Sequence, residues 1–137
     1  MTSTVPYIPP SGAAPLCGIS PDAKYFLKMG ENRVWTLFDA NTGVPRFNVG
    51  PGPYTGIPYN YIVVFSPDGA YFITHWEDGC LRIWNAERGV RVATVRRRGG
   101  DICGVEFSSD GEVLALGHED GTAKFHSFLG ILKSGSL

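Results

Sequence analysis

His75, His118 and His126 are the only imidazoles in the chain. With Cys17, Cys80 and Cys103 they are the side chains from which a metal site or a nucleophile–base pair would have to be built. His75 and His118 fall near the ends of two predicted strands and could approach one another, but two imidazoles without a third ligand make a poor metal site. The cysteines are odd in number and include no C-x-x-C pair. They read as small buried hydrophobes of a reducing compartment rather than as disulfides or zinc ligands. The serines lie in turn sequences, without a strand-to-helix elbow or a neighbouring base. Gly50, Gly52 and Gly56 have the spacing of a phosphate loop. Such a loop must open a helix, and Pro51, Pro53 and Pro58 followed by a strand exclude one. The residues call for no catalytic group, metal or cofactor, and the expectation is a protein that is not an enzyme.

Asp78 and Asp120 look like general bases only in isolation, because each belongs to a repeated turn. Glu77-Asp78-Gly79 is matched by Glu119-Asp120-Gly121, and Ser66-Pro67-Asp68-Gly69 is matched by Ser20-Pro21-Asp22-Ala23 and Ser108-Ser109-Asp110-Gly111. Ser20 and Ser66 are 46 residues apart, Ser66 and Ser108 are 42 apart, and no gap is needed within a unit. A turn carboxylate accepts local hydrogen bonds, which is the structural role expected of these aspartates. Between the turns lie short apolar runs rich in β-branched and aromatic residues. Tyr61–Phe65, Ala70–Trp76, Leu81–Trp84 and Val90–Val95 read as four antiparallel strands in a meander. A sheet of that kind cannot cover both its faces, so it must stack on copies of itself or on something else. Four-stranded repeats of roughly 40–45 residues are propeller blades. The predicted fold is all-β: a partial β-propeller of about three four-stranded antiparallel blades.

Phe65-Ser66-Pro67-Asp68-Gly69, then Glu77-Asp78-Gly79, then Leu81-Arg82-Ile83-Trp84-Asn85 resembles the WD-repeat β-propeller family. The resemblance spans residues 16–132 and is strongest in the second copy. The family's Gly-His pair before the first strand is missing from all three copies, and Phe38 and His126 stand where Trp84 stands in the second. The turn aspartate is kept at Asp78 and Asp120 but is Asn32 in the first copy. The resemblance implies a polar network in which Asp78, Asp120 and Trp84 are structural, with Trp84 packed between blades. It also implies a scaffold that binds other proteins.

Residues 1–15 hold Pro6, Pro9, Pro10 and Pro15 and read as a flexible arm. Blades are expected over 16–49, 61–95 and 102–132, with a fourth strand of the last blade beginning at Ile131-Leu132 and a frayed tail over 133–137. Three blades fall short of the four to eight of a closed ring. The chain is then a fragment of a larger protein, a subunit completed by association or further blades, or an open array; the fragment is the favoured reading. A formal charge of −1 argues against a general nucleic-acid or acidic-membrane binder. No apolar run approaches the ~18 residues of a membrane span, and no secretory signal is visible. The expected compartment is cytoplasmic or nuclear. Recognition falls to the loops. The connections between blades and the second-to-third-strand turns share one face of a propeller, which would gather Tyr54, Trp76, Glu77, Arg97, Arg98, His118 and Glu119 for a protein partner. The alternative is a nucleic-acid or phospho-ligand site on Arg96, Arg97 and Arg98.

Overall fold

The computed structural model describes residues 17–29, 35–49, 63–75, 79–96 and 102–136. The arm 1–15, the loop residues Tyr54, Trp76, Glu77, Arg97 and Arg98, and the turn residue Asp78 lie outside the described residues. Among these residues, eleven strands and one short helix follow each other in three sheets. The first holds β1 (Cys17–Ile19), β2 (Tyr25–Met29), β3 (Trp35–Asp39) and β4 (Pro45–Val49). The second holds β5 (Val63–Phe65), β6 (Tyr71–His75), β7 (Leu81–Asn85) and β8 (Arg91–Val95). The third holds β9 (Ile102–Phe107), β10 (Val113–His118) and β11 (Ala123–Ser127), and α1 (Phe128–Ser134) follows it. Every pairing is antiparallel between sequence neighbours. These are propeller blades, and the fold is all-β apart from α1.

The repeat is exact in register. Phe26 faces Phe38, Phe72 faces Trp84 and Leu114 faces His126 across the second and third strands. In the first two sheets the ladder also slips by one residue at the same place, between Leu37 and Phe38 and between Ile83 and Trp84.

Alternation along each strand sends side chains to two faces, and both faces of the middle sheet are covered. Phe65, Phe72 and Trp84 pack with Leu27, Trp35, Leu37 and Val49 of the first sheet. Ile73, Leu81 and Ile83 pack with Ile102, Leu114 and Leu116 of the third. Trp84 is buried, lies nearly parallel to Phe72 at 6.3 Å between ring centroids, and donates its indole N–H to Thr74 Oγ1 at 2.9 Å. A buried donor left without an acceptor costs about 1–3 kcal/mol, so Thr74 is what allows an indole rather than a phenyl ring at this position.

The last blade departs from expectation. No fourth strand starts at Ile131-Leu132, because Phe128–Ser134 is helical and takes in the first two residues of the expected tail. Ser127 caps it by accepting from the Gly130 N–H at 3.1 Å, and Gly135, at φ 72°, closes it by donating its N–H to the Ile131 carbonyl. Phe128 and Ile131, three residues apart, fall on one helical face and are buried in the core between the second and third sheets. Phe128 meets Phe107 and Tyr71 edge-on at 4.8 and 5.5 Å. Beyond the helix the Gly135 carbonyl accepts the Thr94 N–H at 3.1 Å, and Ser136 bridges β8 in parallel. The helix therefore covers the outer side of two blades, and the segment after it covers part of an edge strand.

Each first hairpin closes through a turn that demands a left-handed residue. Gly69 and Gly111 supply it at φ 74° and 75°, but the first blade has Ala23 at φ 60°. A Cβ in that region costs roughly 1–2 kcal/mol, partly offset by the unfolded-state entropy that glycine adds. Ala23→Gly is expected to stabilise the protein by about 0.5–1 kcal/mol in urea unfolding. A loss of stability would contradict the assigned strain.

Candidate interaction surface

One rim of the stack carries the turn between the second and third strands of the third blade, β10 and β11. In the third blade the His118 N–H donates to the Thr122 carbonyl at 2.9 Å and the Gly121 N–H donates to the His118 carbonyl at 3.0 Å. Asp120 Oδ1 accepts from the Thr122 hydroxyl at 2.6 Å and from its N–H at 2.9 Å. The Thr122 hydroxyl, then its amide, holds the Asp120 pKa below the ordinary carboxylate value, with smaller help from His118 and Lys124. A carboxylate committed to its own turn is a weak proton acceptor, which is the opposite of what general-base work needs.

The sequence placed His118 and Glu119 together on the binding face, and the structure separates them. Glu119 is exposed, whereas His118 is 7% exposed and lies under the turn. His118 belongs to the interior because β10 sends it to the same face as Leu114 and Leu116, toward the middle blade. His75, at the end of β6, is likewise buried. Arg96 is exposed just past β8. Among the described residues, no group of three or more His, Cys, Asp or Glu side chains could hold a metal. Cys103 is exposed rather than a buried hydrophobe.

The opposite rim carries the first hairpin turns, each built the same way. Ser66 Oγ donates to Asp68 Oδ1 at 2.7 Å and accepts the Tyr71 N–H at 3.0 Å, while Asp68 Oδ1 also accepts the Ala70 N–H at 3.0 Å. Ser20 with Asp22 and Ser108 with Asp110 repeat the arrangement. The turns also touch one another across blades. A Cβ on Gly69 would sit 2.8 Å from the Asp22 carboxylate, and one on Gly111 would sit 3.5 Å from the Pro67 ring. Between the second and third turns and the start of α1 lies an open groove of about 920 Å³, with Pro67, Tyr71, Phe125, Phe128 and Leu129 in its walls and Asp110 at its rim. Sequence reasoning missed this groove because it took the segment after Phe128 for a strand and a tail. The apolar spacing of Phe128, Ile131 and Leu132 was the available signal.

The sequence model of the family described as WD domain, G-beta repeat matches residues 60–85 and 89–127. Those two stretches, in the second and third blades, match the WD repeat. It is similar to Pre-mRNA-processing factor 19 homolog 2 of Arabidopsis thaliana, 26% identical over 103 residues that cover 75% of this chain and 19% of that protein. It is similar to Elongator complex protein 2 of Drosophila melanogaster, 25% identical over 132 residues that cover 80% of this chain and 16% of that protein. A shorter stretch is 37% identical over 65 residues to WD repeat and SOCS box-containing protein 1 of Xenopus tropicalis, covering 47% of this chain and 15% of that protein. The chain spans less than a fifth of the length of each of these relatives.

The first hairpin turns make stability depend on acid in a defined direction. The Ser20 and Ser108 hydroxyls chiefly hold Asp22 and Asp110 below 3.8, the Ala70 amide does so for Asp68, and burial opposes each. A carboxylate with a depressed folded pKa adds stability above its unfolded value and loses it as pH falls through the folded one. His126 works in the same sense higher on the scale, because burial first, then Lys124 and His118, lower its pKa below 6.5. Urea midpoints are expected to fall once on acidification below about pH 6.5 and again below about pH 3.8. Asp68→Ala should flatten the lower step without touching the upper. A midpoint that rises on acidification would contradict the assignment.

Proposed function

We propose that these WD repeats form a protein-interaction scaffold without catalytic activity, and that a protein partner binds the rim of the second-to-third-strand turns and blade connections. The residues proposed to make contact are Tyr54, Trp76, Glu77, Arg97, Arg98 and Glu119, with His118 supporting Glu119 from beneath. Asp78 is proposed to close the middle-blade turn as Asp120 closes the next. One observation carries the reading. Leu114, Leu116 and His118 are consumed by blade packing and Asp120 by its own turn, while Glu119 between them is exposed. A side chain that the fold does not use is available for recognition, and Trp, Tyr and Arg are the types that most often dominate interfaces. Relatives whose names place them in a complex or join WD repeats to another domain accord with a scaffold. In this reading the protein works in the cytoplasm or nucleus. No helix among the described residues is long and apolar enough to cross a membrane.

The test is capture from extract by the tagged chain, compared with Trp76→Ala, Glu119→Lys and the double variant Arg97→Ala with Arg98→Ala. Each should lose partners recovered by the parent while its unfolding free energy stays within about 0.5 kcal/mol. Recovery of the same partners by all three would remove this rim from consideration.

A further inference from the structure

Among the described residues, the two end sheets each present one face with no blade against it, and the register shows what such faces are built to meet. The face that looks back along the chain is here called leading, and the face that looks forward is called trailing. In the middle sheet the leading row is Phe65, Phe72 and Trp84, with exposures of 8, 0 and 7%. The same register positions on the leading face of the first sheet are Ile19, Phe26 and Phe38. Ile19 is 44% exposed, and Phe26 and Phe38 stack on each other at 4.7 Å with their rings 8° from parallel. On the trailing side, Ile73 and Ile83 are completely buried in the middle sheet, and their counterparts in the third are Ala115 and Phe125. Phe125 is 70% exposed.

The two open faces complement each other. Ala115 and Ala123 stand on the trailing face where the first two sheets have Leu27, Ile73, Trp35 and Leu81. The resulting hollow beside Phe125 has room for a bulky leading row, and the stacked Phe26–Phe38 pair is one. Charges match as well: exposed Lys28 lies on the leading face beside Phe26, and exposed Glu106 lies on the trailing face beside Ala115. Neither face matches itself in this way, because one is aromatic with a cation and the other is hollow with an anion.

We propose that the trailing face of the third blade receives the leading face of the first blade of a second copy. Two copies then repeat the contact about a two-fold axis and close a ring of six blades. Six lies within the four to eight blades that close propellers. A head-to-tail contact that closes on itself gives a finite assembly instead of a filament.

Sedimentation velocity on the 137-residue chain at micromolar concentration tests the ring. The expected mass is twice the 14.9 kDa of one chain. Phe125→Lys and Phe38→Glu should each halve that mass with an unchanged circular-dichroism spectrum. Mixing the two variants should restore the doubled mass, because one contact is then wild type and the other sets Lys against Glu. Ile19→Glu, on the same leading face, serves if Phe38→Glu fails to fold, and should give the monomer alone. A wild-type monomer would overturn the proposal and leave the faces to blades from another source. A dimer broken by Phe125→Lys but not by Phe38→Glu would mean that two trailing faces meet, and would overturn it too. Assemblies growing beyond two copies would overturn the closure.

Discussion

A β-sheet with apolar side chains on both faces has nowhere to stand except between two others. The middle blade lives under that constraint. Its strands alternate between Phe72 and Trp84 on one side and Ile73 and Ile83 on the other, and all four are buried only because a neighbouring sheet lies against each side. At roughly 25 cal/mol per Å² of apolar surface removed from water, the gain comes from the contacts between sheets, since one sheet alone would leave a whole face wet. The smaller inter-blade contacts follow the same logic. Phe47 of the first blade presses on Gly89 of the second so closely that a Cβ there would collide with its ring, and Arg46 reaches the Glu87 carbonyl at 3.3 Å.

Stacking of this kind leaves the polar groups of the turns to settle their own hydrogen bonds. The serine and aspartate of each first hairpin do so within six residues, as Ser66, Asp68 and Tyr71 show. Asp120 and Thr122 do it within three. The carboxylates that might have suggested catalysis are thereby spent on local geometry. Trp84 and Thr74 are an exception, a polar pair held inside the stack. They fix the indole's orientation where a phenyl ring in the first blade, Phe38, needs no such partner.

The blade architecture was legible because turn chemistry repeats without gaps. Ser20, Ser66 and Ser108 set the register, and the observed pairings of Phe26 with Phe38, Phe72 with Trp84 and Leu114 with His126 follow from it. The helix was misread because Ile131-Leu132 was matched to the repeat rather than to its own spacing with Phe128. A local cap at Ser127 and a left-handed Gly135 overrode the pattern of the earlier blades. His118 was assigned to the surface because it flanks a turn, but strand alternation carried it inward. The pairing of Thr74 with Trp84 had no sequence signal, since threonine in a strand is ordinary. The candidate rim was legible only as a set of loops brought to one side by the topology, and most of its residues lie outside the described ones.

The central claim is that the middle sheet is held by its two neighbours, and amide hydrogen exchange measures it most directly. In the monomeric Phe125→Lys variant, protection should peak in β6 and β7, near the free energy of global unfolding. It should fall toward β11, whose Phe125 face is open within one chain. Equal protection across the three sheets, or first exchange in β6 and β7, would contradict a stack built from the middle outward.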